Sequence, residues 1–203
     1  MMLGGTETTS TTIEWGIAEL LNNPQILEKA TAEIDAHVGN KRLIQESDMN
    51  NLPYLNCIIS EIFRLHPVVP LLVPHESRED IKLGDYDIAK GTILIVNIYP
   101  IQRDPEIWEE PKKFNPKRFE NGNSNGKLVI PFGMGRRRCS GEPFAMRTLG
   151  VLLGTLIQSF EWKRLGDELI DLTEGCGLTT PLATPLEVMY RPRLAMKELL
   201  SEF

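Results

Sequence analysis

Cysteine is scarce in this chain, and long apolar runs are missing. The 203 residues include three cysteines, Cys57, Cys139 and Cys176, and no Cys-x-x-Cys pair. An odd, scattered set argues against a disulfide framework and against a zinc site. The sequence shows no run of about 18 or more apolar residues and no secretory signal peptide. We therefore expect nothing in this chain to anchor it to a membrane.

Basic charge is also in short supply, which bears on the class of partner. Lys and Arg number 22 against 28 Asp and Glu, so the formal net charge is -6. An acidic chain is a poor general binder of nucleic acid, and we predict no nucleic-acid partner. At 41% hydrophobic and 25% charged, the composition is that of a globular protein with a sizeable core.

The most informative stretch runs from Phe132 to Gly141 and holds Cys139 behind glycines and three arginines. Glycine lets the main chain approach a flat ligand closely. The helix predicted after Cys139 points its N-terminal N–H groups back at the sulfur, which favours a thiolate. A fixed thiolate of this kind can serve as an axial haem ligand. Two alternatives remain at this point: an inert buried thiol, and an arginine patch for phosphate or nucleic acid.

The same stretch fits the pattern Phe-x-x-Gly-x-Arg-x-Cys-x-Gly at all its fixed positions, Phe132, Gly135, Arg137, Cys139 and Gly141. It resembles the haem-binding loop of cytochrome P450 monooxygenases, and five matched positions are far more specific than a lone short motif. The resemblance implies haem b as the cofactor, contacted by these five residues. It also implies Cys139 as the axial ligand of the haem iron.

A helix is predicted from Gly4 to Asn22, weakened at its start by glycines and a threonine-rich run. One interpretation is a loose N-terminus with a threonine cap. The other rests on Gly-Gly-x-Glu-Thr-Thr, which resembles the oxygen-binding segment of the distal P450 helix. That resemblance implies that Glu7 and Thr8 are catalytic and relay protons.

Glu61 and Arg64 lie three apart in a helix predicted over 53–65, so they share a face. An exposed ion pair is the plain interpretation. The resemblance instead implies a buried structural network with Arg118 beneath the haem loop. Similarly, His75 is either a surface histidine or, by resemblance to a Pro-His element of the family, a donor to a haem propionate.

The remaining segments predict a mainly α fold with small antiparallel β-sheets. Helices are expected over 24–38 and 142–160, and strands over 81–83, 86–88 and 92–98. The run 67–75 is expected to be extended. The Pro-interrupted run 104–119 should be irregular, 121–126 a surface turn, and 171–192 a set of short strands and turns.

Three segments should face a substrate pocket if the resemblance holds: the helix near Glu7, the run 69–73 and the turn 180–182. Their side chains are mostly apolar, and such a pocket selects flat or compact lipophilic molecules by shape. The alternative is that these are ordinary core residues. The pocket residues predicted in the latter two segments are Val69, Leu71, Leu72, Val73, Thr180 and Leu182.

The resemblance extends from residue 4 to about 193 and is closest to plant microsomal P450s that hydroxylate isoflavonoids and phenylpropanoids. We expect residues 1–203 to form one partial P450 domain, the C-terminal half of that fold, without the N-terminal half and the membrane anchor. Departures include Ser140 beside the cysteine, and Pro100 and Gln102 where alanine and histidine are usual.

The implied activity is that of a monooxygenase, which inserts one atom of O2 into a small lipophilic plant metabolite. NADPH–cytochrome P450 reductase would supply the electrons, and the complete protein would lie at the cytosolic face of the endoplasmic reticulum membrane. Two alternatives stay open: a haem-thiolate isomerase or dehydratase that does not use O2, and a fragment without activity of its own.

Overall fold

The computed structural model describes residues 2–122 and 129–202, and side chains from residue 4 to 120 and from 129 to 202. Most of the turn expected over 121–126 lies outside this part. The helices are α1 (Met2–Asn22), α2 (Pro24–His37), α3 (Pro53–Leu65), α4 (Ile98–Ile101), α5 (Glu142–Ser159) and α6 (Lys197–Leu200). Short 3-10 turns cover Glu46–Asn51, Pro116–Gly122, Gly135–Arg137 and Leu194–Met196.

The helix boundaries follow local chemistry. Pro24 and Pro53 occupy first helical turns, where the missing N–H costs nothing. Helix α3 ends one residue before His66, because Pro67 disfavours helical backbone at the residue preceding it. The predicted helices over 4–22, 24–38, 53–65 and 142–160 therefore agree with the structure to within two residues.

Helix α3 lies at the centre of the core. Ten of its thirteen residues are buried, and it contacts α1, α2 and α5. Helices α1 and α3 approach closely at Gly16, where an added Cβ would lie 2.9 Å from Cδ1 of Ile62. Because this helix is buried on nearly all sides, its charged residues are buried as well.

Three two-stranded antiparallel sheets flank the helices. Strand β1 (His75–Glu76) pairs with β4 (Ile93–Leu94), β2 (Ile81–Leu83) with β3 (Tyr86–Ile88), and β5 (Phe160–Arg164) with β6 (Val188–Pro192). The mainly α fold with small antiparallel sheets is thus confirmed. No helix in the described ranges is long and apolar enough to span a bilayer.

The prediction of one strand over 92–98 was wrong in its extent. Only Ile93–Leu94 is a strand, and helix α4 begins at Ile98. The Asn97 side chain accepts a hydrogen bond from the backbone N–H of Tyr99 at 3.2 Å and caps this helix. An N-terminal asparagine cap satisfies a free helical N–H group, so it outweighs the β propensity of the flanking isoleucines.

The extended run expected over 67–75 contains a turn instead. The N–H of Leu72 donates to the carbonyl of Val69 at 3.1 Å, and Leu72 has φ +52°. Pro70 occupies the second position of this turn, where its fixed φ is favourable. The run 104–119 also differs from the prediction at its end, since a 3-10 turn starts at Pro116.

Candidate functional site

The cysteine loop is held by backbone hydrogen bonds. The N–H of Cys139 donates to the carbonyl of Phe132 at 2.9 Å, and that of Arg138 donates to Gly135 at 3.1 Å. Gly133 and Gly135 have φ of +72° and +69°, a region that L side chains rarely adopt. These contacts fix the backbone of Cys139 three residues before the start of helix α5, whose first N–H, that of Glu142, donates to the Cys139 carbonyl at 3.4 Å.

Cys139 is exposed. This excludes the inert buried thiol, one of the two alternatives that the sequence left open. An added Cβ on Gly133 or Gly135 would meet no atom within 4 Å, so the loop also leaves open space beside its backbone. A soft sulfur donor on an unobstructed loop suits the iron of a flat cofactor. The residues present therefore fit a haem.

The arginine triplet is not a set of three free cations. Arg138 forms an ion pair with Glu142, one helical turn further along. The hydrogen bonds that the Arg138 guanidinium donates to this carboxylate raise the pKa of Arg138. A phosphate group would have to compete with Glu142 for Arg138. The pairing therefore weakens the interpretation of the three arginines as a phosphate or nucleic-acid patch.

Glu61 and Arg64 are 0% exposed and form a two-pronged ion pair. Nε and Nη2 of Arg64 donate to the two carboxylate oxygens of Glu61 at 2.7 and 2.8 Å. Arg118 donates from Nε to Glu61 Oε1 at 3.2 Å. The backbone N–H of Asn115 donates to the same oxygen at 2.8 Å. The structure therefore brings together the three residues that the sequence grouped.

The two arginines also bind the Pro-interrupted loop through its carbonyl groups. Arg64 Nη1 donates to the carbonyls of Gln102 and Pro111 at 2.9 and 2.8 Å. Arg118 Nη2 donates to that of Glu110 at 2.8 Å. Buried guanidinium groups need such partners, and the irregular loop offers carbonyls that no strand or helix uses. The cluster thus fixes the loop onto α3.

In α1, Glu7 is exposed and Thr8 is half-buried. The Thr8 hydroxyl donates to the carbonyl of Gly4 at 2.7 Å, a local bond that often bends helices. Glu7 Oε1 accepts a hydrogen bond from the Thr179 hydroxyl at 2.6 Å. An added Cβ on Gly4 or Gly5 would meet no atom within 4 Å, so this side of the helix is open.

The pocket residues differ in burial. Leu71 and Val73 are exposed, Val69, Leu72 and Thr180 are half-buried, and Leu182 is 6% exposed within the main core. His75 is exposed in β1. The N–H of Thr180 donates to the carbonyl of Val68 at 2.9 Å, so the turn 180–182 adjoins the run 69–73. Among the described residues, no hydrogen bond links His75 or Cys139 to Glu7 or Thr8.

Sequence reasoning missed two buried polar groups. Nε2 of Gln102 donates to the carbonyls of Phe63 and Arg64, and Oε1 accepts from Ile130, just ahead of the cysteine loop. His66 pairs with Glu19 inside the core. The signal for His66 was its position between the end of α3 and Pro67. The sequence shows Gln102 as a departure from the family pattern, but no local pattern indicates its buried contacts.

Comparisons with known proteins agree with this geometry. The family model described as Cytochrome P450 matches residues 1–185. The chain belongs to the cytochrome P450 family, and its fold corresponds to the C-terminal half of that fold. The family's cofactor is haem.

Among curated relatives, Cytochrome P450 81Q32 of Catharanthus roseus is 51% identical over all of this chain and 40% of its own length. Isoflavone 3'-hydroxylase of Medicago truncatula is 47% identical over 94% of this chain and 38% of its own length. A zebra fish cytochrome P450 structure with abiraterone has TM-score 0.87 and 37% identity, covering 94% of this chain and 46% of that one. The chain thus spans about two-fifths of the length of its curated relatives.

Proposed function

We propose that this chain carries the cysteine-ligand half of a haem-thiolate monooxygenase that hydroxylates a small lipophilic plant metabolite. The observation that carries the proposal is the loop 132–141, which presents an exposed Cys139 thiol on a hydrogen-bonded, glycine-containing backbone. Haem, when bound, supplies the one-electron and dioxygen chemistry that amino-acid side chains lack.

The side chains of the loop would hold and orient the cofactor. Cys139 Sγ would bind the haem iron, and Phe132 would support the loop through its edge-on contact with Phe63, with ring centroids 5.1 Å apart. Gly135 and Gly141 would keep the backbone clear of the ring, while Arg137 and His75, both exposed, are the proposed donors to cofactor carboxylates.

Glu7 and Thr8, in helix α1, would transfer protons. The Glu7 carboxylate can hold a proton at Oε2 while Oε1 stays bonded to Thr179. The Thr8 hydroxyl can rotate from the Gly4 carbonyl to pass a proton on. Proton transfer by positioned side chains of this kind is general acid–base catalysis. This acid–threonine pair favours a monooxygenase over a haem-thiolate isomerase.

The proposed substrate is compact and apolar. Val69, Leu71, Leu72, Val73 and Leu182 would supply apolar walls, and Thr180 a polar rim. Two relatives carry names that fit this class: the isoflavone 3'-hydroxylase, and the (+)-piperitol/(+)-sesamin synthase of Sesamum radiatum, 46% identical over all of this chain. By family analogy, O2 and electrons from NADPH–cytochrome P450 reductase are the co-reactants, and the endoplasmic reticulum membrane is the location of the complete protein.

The test is the carbon monoxide difference spectrum of the complete expressed protein. Cys139→Ser should abolish the band typical of thiolate ligation, because an alcohol oxygen is a harder and weaker ligand. Cys176→Ser is the matched control, since Cys176 is also exposed but lies outside the loop. A Cys139→Ser variant that kept the thiolate band would refute the proposal.

A further inference from the structure

A buried aromatic–polar cluster connects helix α1 with the turn 180–182 and with the residues just before the run 69–73. The indole of Trp15, in α1, stacks on the imidazole of His66 with centroids 4.0 Å apart and an interplanar angle of 7°. The indole N–H donates to the carbonyl of Thr180 at 2.8 Å. Trp15 is 1% exposed and His66 7%, so solvent replaces neither contact.

These contacts form a closed circuit from residue to residue. Thr180 accepts from Trp15 and donates its own N–H to the carbonyl of Val68 at 2.9 Å. Val68 follows His66 by two residues, and His66 returns to Trp15 through the stack. This closed set of contacts therefore joins helix α1 at Trp15, the turn 180–182 at Thr180, and Val68, which directly precedes the run 69–73.

The orientation of the His66 ring depends on few partners. Nε2 lies 2.7 Å from Glu19 Oε1, and Asn23 donates to the other oxygen of Glu19 at 3.2 Å. Nδ1 is buried and has no hydrogen-bond partner among the described residues. With one nitrogen unsupported, the ring relies on Glu19 at one edge and on the face of Trp15.

We propose that Trp15 is a positioning residue that sets the width of the substrate pocket without lining it. It lies seven residues beyond Thr8, about 10 Å along the helix axis. Within the described ranges, its indole N–H is the only side-chain donor to the Thr180 carbonyl. This inference rests on the proposed function, since it takes the three segments to be the pocket walls.

The experiment compares Trp15→Phe with Trp162→Phe in the complete expressed protein. Both substitutions keep an aromatic ring and remove one indole N–H bonded to a backbone carbonyl, because Trp162 donates to Leu156 at 2.9 Å. Trp162 lies in β5, which belongs to none of the three segments. Each variant is titrated spectroscopically with imidazole, which is too small to sense the pocket walls, and with 4-phenylimidazole, whose ring would occupy the pocket.

The measured quantity is the ratio of the affinity for 4-phenylimidazole to the affinity for imidazole. A change in protein stability or in haem content affects both affinities alike and cancels in this ratio. Trp15→Phe should change the ratio by about 3- to 10-fold, the effect of one lost hydrogen bond. Trp162→Phe should leave it within about twofold of the parent. If Trp15→Phe fails to fold, His66→Gln takes its place, since it removes the stacked ring and retains an amide donor for Glu19.

Two failures are distinguishable. A parent protein that bound neither azole through a haem would overturn the proposed function, and the role in selectivity with it. A parent that binds both azoles, with the same ratio in Trp15→Phe or His66→Gln, would overturn only the inference. Amide hydrogen exchange gives an independent check, because the Thr180 N–H should exchange faster in Trp15→Phe than in Trp162→Phe.

Discussion

Glu61 shows how a single buried carboxylate can organise its surroundings. It accepts hydrogen bonds from Arg64, Arg118 and the backbone of Asn115, and none of its side chain reaches solvent. Burying an ionised group is costly unless its hydrogen bonds are all made. The surrounding loop must therefore keep its shape for Glu61 to remain satisfied.

Arg118→Ala tests that dependence. It removes one charge partner of Glu61 and the hydrogen bonds that Arg118 donates to the carbonyls of Glu109 and Glu110. We expect the free energy of unfolding to fall by about 3 kcal/mol or more and haem incorporation to be lost. Urea unfolding and haem absorbance per polypeptide measure the two effects.

The control is Arg191→Ala, because Arg191 pairs with Glu161 on the surface with its side chain 70% exposed. That variant should lose at most about 1 kcal/mol and retain its haem. Normal haem content in Arg118→Ala would show that the cluster is not needed for cofactor binding.

The spacing of Glu61 and Arg64 predicted that they share a helix face, whereas their burial was implied only by the family resemblance. Pairs three apart are exposed on most helices. This pair is removed from water by the packing of α3 against three other helices and by the loop that carries Asn115 and Arg118. Trp15 and His66 were missed for a related reason. They are 51 residues apart, and no local sequence pattern predicts a ring stack that depends on tertiary packing.

At the scale of elements, segments with strong local chemistry were predicted well. Prolines at the starts of α2 and α3 and glycines in the cysteine loop fix backbone shape by themselves. The prediction of a strand over 92–98 was wrong because β-branched residues favour a strand only where they can pack on a sheet. Here the chain leaves the sheet after Leu94 and enters α4 at Ile98. The prediction of an extended run over 67–75 was wrong because Pro70 also favours the second position of a turn. In the structure this turn preference outweighs the extended bias of the residue before a proline.

The 3-10 turn Glu46–Asn51 supplies a pH-dependent element. Asp48 accepts two hydrogen bonds from Arg42, at 2.6 and 2.8 Å, and one from the backbone of Gln45 at 2.8 Å. The Arg42 side chain, above all, holds the pKa of Asp48 below its ordinary value. A lowered carboxyl pKa stabilises the fold above the unfolded-state value near 3.9, and this contribution is lost as the pH falls through the folded-state value.

Asp48→Asn should therefore destabilise the protein near neutral pH, and its difference from the parent should shrink as acid protonates Asp48. Urea midpoints measured from about pH 7 to pH 2.5 give the comparison. Asp87→Asn is the control, since Asp87 is exposed in β3. A difference between Asp48→Asn and the parent that stayed constant over this range would contradict the assignment.

At the scale of the whole molecule, apolar side chains are exposed over much of the surface. Phe144, at the start of α5 and near Cys139, is 76% exposed, and Val73 in the proposed pocket is 71% exposed. Contiguous apolar surface on a soluble chain marks interaction sites or a tendency to aggregate. The chain also spans about two-fifths of the length of its relatives.

We expect the 203-residue chain, expressed alone, to self-associate and to hold less than one haem per polypeptide. Net stabilities of roughly 5–15 kcal/mol leave little margin for so much exposed apolar surface. Light scattering, haem content and amide hydrogen exchange measure these properties. A monomer with stoichiometric haem and a cooperatively protected core would contradict the expectation.

The contacts of α1 with the tail have a consequence for the order of folding during synthesis. Glu7 bonds to Thr179, Trp15 to Thr180 and Asn22 to Ile170, across separations of 172, 165 and 148 residues. A ribosome adding 5–20 residues per second needs roughly ten to thirty seconds to make the intervening chain. Throughout that interval α1 lacks these contacts with the tail, so a nascent-chain chaperone would have that time to act on this helix.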